Sequence, residues 1–76
     1  VKNTLDLIEF VKSRRKELGI TQEELARKSG VGLRFIRELE QGKETLRLDK
    51  INQVIVLFGH KMSPVKIIFR NDEEIK

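Results

Sequence analysis

Three residues between Gln22 and Gln41 constrain the fold of this chain more than any others: Ala26, Gly30 and Ile36. Two short helices cross closely only where a small residue sits at their contact, and Ala26 is that residue. The turn between them needs positive φ, which costs glycine nothing, and Gly30 falls four residues later. The second helix needs a branched apolar anchor directed back at the first, and Ile36 follows after six more. Leu25, Val31 and Leu39 fill the remaining inward positions. An ordinary helical hairpin in a small bundle is the competing reading, and it requires no such combination at fixed spacing.

Flanking residues mark where these helices start and stop. Thr21-Gln22-Glu23-Glu24 reads as a capping box, so a helix runs from Gln22 to about Ser29 and ends at Gly30. The next starts at Gly32 or Leu33 and ends near Gln41-Gly42. Phe35, Ile36 and Leu39 share its inner face, with Phe35 turned towards the following helix. Leu33, Arg34, Arg37, Glu38 and Gln41 share the outer face. Upstream, Leu5, Ile8, Val11 and Leu18 form one apolar stripe over about Thr4 to Leu18. Thr4 suits the N-cap, Asp6 the first turn, Arg14, Arg15 and Lys16 the last turn, and Gly19 the exit. Downstream, Leu48, Ile51, Val54, Ile55 and Phe58 form the inner stripe of a helix over about Leu48 to Phe58. Val56 and Leu57 widen its apolar surface, which places this helix at the centre of the molecule or in an interface.

After Pro64 the period changes. Val65, Ile67 and Phe69 alternate with Lys66, Ile68 and Arg70, which predicts a short strand over about 64–70 and a polar tail over 71–76. One strand cannot satisfy its own backbone groups, and the chain offers no second. The expected partner is the same segment of a second copy, with Val56, Leu57, Val65, Ile67 and Phe69 at the dimer contact. Size points the same way. A domain of 76 residues buries only about 60% of the surface that its unfolded chain exposes. There is no cysteine for a disulfide or a thiolate metal site, and the single histidine excludes a multi-histidine one. The expectation is an all-α fold of four to five helices forming one domain over residues 1–76, with a C-terminal strand paired across a dimer.

Lys and Arg number 16 against 12 Asp and Glu, a net charge of +4. That balance suits an anionic partner, nucleic acid being the commonest, although a few units of charge also serve solubility alone. The charges are spread along the chain, so a binding surface must arise from folding and not from a basic arm. No apolar run approaches the roughly 18 residues of a membrane span. No signal-peptide pattern opens the chain, which begins at Val1 without an initiator methionine, and a cytoplasmic protein is expected. With no cysteine nucleophile, no histidine–carboxylate cluster and no glycine-rich phosphate loop, neither an enzyme nor a cofactor is expected. His60 reads as a helix-end residue, and Phe10 and Met62 as packing residues.

A short helix, a tight turn and a second short helix make a helix-turn-helix. The run Ile20-Thr21-Gln22-Glu23-Glu24-Leu25-Ala26, then Gly30-Val31 and Leu39-Glu40-Gln41-Gly42, resembles the Cro/repressor-like helix-turn-helix domain of the XRE family. The resemblance covers Val11 to Phe58. The stretch Gly32 to Lys43, then Leu48-Asp49-Lys50 and Phe58-Gly59-His60, looks most like HipB-type antitoxins. These are autoregulators of bacterial toxin–antitoxin operons whose toxins resemble protein kinases. The resemblance implies a lambda-repressor-like fold and a homodimer joined through a strand after the last helix. It also implies a palindromic double-stranded DNA operator and a HipA-like kinase toxin as a second partner.

Carried over residue by residue, the resemblance places Leu33, Arg34, Arg37 and Glu38 at base-reading positions. Arg34 suits the O6 and N7 of a guanine, Leu33 a thymine methyl and Glu38 a cytosine amine. It places Gln22, Gln41, Lys43 and Arg47 on phosphates, Gln22 beside the free amides of a helix N-terminus. Arg15 and Glu40 match a largely buried ion pair that fixes geometry. Two residues depart from the pattern: Gly32 stands where Ser or Thr is usual, and Phe35 replaces a small polar residue. The implied function is a sequence-specific repressor and antitoxin. The alternatives are a free-standing phage-type or XRE-family regulator without a toxin, and a protein-interaction module that does not bind DNA.

Overall fold

Local capping chemistry produces helices where the sequence places it. A computed structural model describes residues 3–66, with side chains from Asp6 onward. The elements are α1 (Asn3–Glu17), α2 (Gln22–Ser29), α3 (Leu33–Gln41) and α4 (Leu48–Ile55), followed by a 3₁₀ turn over Val56–Phe58. At the start of α2 the Glu24 amide donates to Thr21 Oγ1 at 3.1 Å, and the Thr21 amide donates to Glu24 Oε1 at 2.9 Å. Those two bonds are the capping box, and the bond from the Thr21 amide holds the Glu24 carboxyl below its usual pKa. The helix ends where Gly30 adopts φ +79° and donates its amide to the Ala26 carbonyl at 3.0 Å. α3 opens at Gly32 in extended conformation without a side-chain cap. It closes at Gly42, φ +92°, with the Lys43 amide reaching back to the Glu38 carbonyl at 3.0 Å.

The core lies where all four helices meet. Val11 of α1, Leu25 and Ala26 of α2, Val31 of the turn, Ile36 and Leu39 of α3, and Ile51, Val54 and Ile55 of α4 are buried in one cluster. α3 packs against both α1 and α2, and α4 supports α2. Leu25, Ile36 and Leu39 are essentially inaccessible, and full burial of each stabilises the fold by about 1.5–3 kcal/mol. Half-buried Leu33, Phe35, Leu46, Leu7, Phe10 and Phe58 pack against this core and extend it. The Phe10 and Phe58 rings meet edge to face at 5.9 Å, and the His60 ring lies 4.6 Å from Phe10. Phe10 is thus a packing residue, and His60 sits just past the helix end, its amide on the Ile55 carbonyl at 3.1 Å.

Several expectations need correction. Leu18 is 61% exposed, because α1 stops at Glu17 and the chain turns through Gly19. Ile20 packs against the core in its place. Leu48 is 57% exposed: as the first residue of α4 its Cβ tilts back beyond the packed turns. The α-helix ends at Ile55 and tightens into the 3₁₀ turn, which Gly59 closes at φ +75°. Val56 and Leu57 lie exposed on this turn, so its apolar surface faces outward instead of filling the centre. Met62 is also exposed, with its amide donating to Asn52 Oδ1 at 2.8 Å. Pro64 to Lys66 is irregular and Val65 is exposed, so there is no strand among the described residues. A lone chain supplies no partner to complete a ladder there. Ile67, Phe69 and the rest of the expected strand over 67–70, and the tail over 71–76, lie outside the described residues. So do the side chains of Thr4 and Leu5, while α1 begins one residue before Thr4. Among the described residues no helix is long and apolar enough to cross a membrane, and no side-chain cluster suits a metal ion.

Candidate nucleic-acid interface

The orientation of α3 is held by a polar network at its buried end. Arg15 of α1 grips Glu40 of α3 with two bonds, Nε to Oε2 at 2.8 Å and Nη2 to Oε1 at 3.0 Å. Its Nη1 donates to the Ile20 carbonyl at 3.0 Å. Gln22 of α2 completes the network, its Nε2 donating to Glu40 Oε1 at 3.1 Å. Three helices are therefore tied through one carboxylate whose side chain is 3% exposed. Burial pushes the Glu40 carboxyl upward, but the bonds from Arg15 and Gln22 and the charges of Arg15 and Lys12 outweigh it and hold it below its usual value. The bond to Glu40 raises the Arg15 pKa in turn.

With its inner face fixed, α3 turns its other face to solvent. The Arg34 side chain is 90% exposed, and Arg37 and Gln41 are exposed as well. Glu38 lies between two cations: Arg34 Nε is 3.3 Å from its Oε2, and Lys43 Nζ is 3.4 Å from the same oxygen. Leu33 is half-buried against the core, and only part of it faces outward. Gln22 stands at the first position of α2, with one amide hydrogen committed to Glu40. The backbone amides of the first turn there have no helical partners.

Beside α3 runs a shallow groove of about 330 Å³, lined by Arg34, Phe35, Glu38, Lys43, Thr45, Leu46, Arg47 and Lys50. The loop from Gly42 to Arg47 forms its far wall, so the structure brings Arg34, Glu38, Lys43 and Arg47 to one place. Arg47 forms a fork with Asp49, Nε to Oδ1 at 3.1 Å and Nη2 to Oδ2 at 2.7 Å. That fork holds the Asp49 carboxyl below its usual pKa. Thr45 and Lys50 line the groove and are absent from the site expected from sequence. Lys50 was legible there as the cation one turn beyond Arg47, off the apolar stripe of α4.

Two helices at a tight turn, the second presenting an exposed polar face beside a cationic groove, is the geometry of a DNA reader. The family model for helix-turn-helix proteins matches residues 11–59, well over half of the chain. The chain belongs to the XRE-type helix-turn-helix family. In helix-turn-helix terms α2 is the first helix, Gly30-Val31 the turn and α3 the recognition helix. This helix-turn-helix chain is similar to an uncharacterised HTH-type transcriptional regulator of Sinorhizobium fredii (strain NBRC 101917 / NGR234). The two are 44% identical over 59 residues, which cover 78% of each chain.

Proposed function

We propose that this chain is a sequence-specific DNA-binding transcriptional repressor that works in the cytoplasm as a homodimer on a palindromic operator. The observation that carries the reading is the exposed face of α3, where Arg37 is exposed and Arg34 lines one groove with the cations Lys43, Arg47 and Lys50. α3 enters the major groove, where Arg34, Arg37, Glu38 and the outward part of Leu33 meet base edges. Gln22, Gln41, Lys43 and Arg47 grip the flanking phosphates and set the register. The family and the transcriptional regulator similar to the chain support this reading over a protein-interaction module that leaves DNA alone.

Exposed Val56, Leu57, Met62 and Val65 support the dimer. Met62 and Val65 line one groove with Leu7, Phe10 and Ile55, and an exposed apolar surface gains by burial in a partner. The narrower reading is a HipB-like antitoxin that represses its own operon and neutralises a HipA-like kinase toxin. It rests on the resemblance of Gly32–Lys43, Leu48–Lys50 and Phe58–His60. Co-purification of a kinase-like protein from the native cell separates it from a free-standing regulator.

Fluorescence anisotropy tests the central reading. The chain is titrated into a labelled duplex from upstream of its own gene and into a scrambled duplex, at about 50 and 200 mM salt. A repressor binds the upstream duplex tightly, with steep salt dependence and a large preference over the scrambled one. Equal weak binding to both duplexes contradicts autoregulation, and no binding to either contradicts the DNA reading itself.

A further inference from the structure

We propose that Glu38 and Asp49 act as internal competitors for the groove cations, keeping the grip on arbitrary DNA weak so that occupancy depends on base contacts. The inference rests on the DNA-binding reading above. Four cations line the groove, and three of them are already held by carboxylates of the same chain. Arg34 and Lys43 share Glu38 Oε2 at 3.3 and 3.4 Å. Arg47 is held by both oxygens of Asp49, at 3.1 and 2.7 Å. Lys50 alone has no carboxylate partner among the described residues.

A guanidinium fork that binds both oxygens of a carboxylate uses the N–H edge that a phosphate takes. The phosphate must displace the carboxylate, and the carboxylate left behind repels the duplex. Every sequence carries the same phosphates, so this cost falls on all duplexes alike. A cognate duplex offsets it with base contacts along α3, and an arbitrary duplex does not. The two carboxylates differ in one respect. Glu38 lies on the base-reading face, where a cytosine amine offers it a new partner. Asp49 lies in the first turn of α4, beside the backbone-gripping loop, and has no base to read. Asp49 therefore isolates the effect.

The test compares the whole chain with D49N, R47A and R47A/D49N by anisotropy on upstream and scrambled duplexes across the same salt range. E9Q serves as a control, since it makes the same charge change on exposed α1 surface. D49N is expected to bind the scrambled duplex about two- to fivefold more tightly, the range that an exposed ion pair supports. Its salt slope steepens by up to about 0.9, the weight of one more phosphate contact. The upstream duplex gains by the same factor, because both carry the same phosphates, so occupancy of arbitrary DNA rises while the affinity ratio stays constant. The gain vanishes in the R47A background and is absent in E9Q. A D49N that binds scrambled DNA no better than wild type overturns the proposal, and so does a gain undiminished in R47A/D49N. A wild-type chain that binds neither duplex overturns the DNA reading and this inference together. Wild-type binding with D49N unchanged overturns the inference alone.

Discussion

Glu40 carries more of the architecture than any other polar residue. Its carboxylate accepts from Arg15 and Gln22 while nearly sealed from water, so it joins three helices at one point. Removing it strands the Arg15 guanidinium in a site where only 15% of its side chain is exposed. Glu40→Ala is expected to cost on the order of 3 kcal/mol, the scale of a broken buried pair. Glu9→Ala, on exposed surface, should cost about 0.5 kcal/mol or less. Thermal melts of the two variants check this, and equal melting temperatures contradict it. The sign of the pH effect follows from the lowered Glu40 pKa. Its contribution is full above the ordinary glutamate value of about 4.3 and is lost as pH falls through the lower folded value. The stability gap between wild type and Glu40→Ala should therefore narrow between neutral pH and about pH 3, read by urea titration at each pH.

At the scale of elements, the recognition helix is well closed and poorly opened. Gly32 at its N-cap leaves the first amides without a side-chain acceptor. Its φ of −75° suits any residue, and an added Cβ meets nothing within 4 Å. Gly32→Ser should stabilise the fold by about 0.5 kcal/mol, through a capping hydroxyl and a less flexible unfolded chain. Gly42 is the opposite case. Its φ of +92° disfavours a side chain, and a Cβ there lies 3.2 Å from Ile8 Cδ1. Gly42→Ala should lose about 1 kcal/mol or more. Denaturant midpoints measure both, and a gain at Gly42 contradicts the left-handed cap. These helix ends were legible in sequence because capping is a contest among neighbouring residues. The apolar stripe over-reaches at Leu18 because a 3.6-residue period extends past the point where α1 stops, and at Leu48 because the first residue of α4 directs its Cβ back beyond the packed turns.

At the scale of the whole molecule, two surfaces differ in character. One is cationic, where Arg34, Lys43, Arg47 and Lys50 line a groove beside α3. The other is largely apolar, where Met62 and Val65 stay exposed in the groove that Phe10 lines, and Val56 and Leu57 stay exposed on the 3₁₀ turn. A domain of this size gains from burying such a surface in a second copy. Sedimentation at micromolar concentration should give twice the 8.9 kDa chain mass. Val56→Glu should shift it to the chain mass and leave helix content unchanged, since the side chain is 61% exposed. A wild-type chain that sediments as a monomer contradicts the dimer. If the chain sediments as a dimer, the half-sites of its operator should lie about 34–36 Å apart.

Four helices, their glycine exits and the capping box were set by residues within a few positions of one another, so sequence order sufficed to find them. The inward roles of Ala26, Val31 and Ile36 were equally readable, because the tight turn leaves them one arrangement. What pairs across the fold was not readable. Arg34 on Glu38 is a neighbour pair within α3 and Arg47 on Asp49 one within the start of α4, but Lys43 on the same Glu38 oxygen and Lys50 lining the groove with Arg34 depend on where the Gly42–Arg47 loop folds back against α3. Gln22 joining Arg15 on Glu40 depends likewise on three helices meeting at a single angle. Charged side chains are long and exchange partners at little cost, so sequence order leaves their pairing open. Packing of the apolar core closes it, by fixing the backbone positions from which those side chains reach.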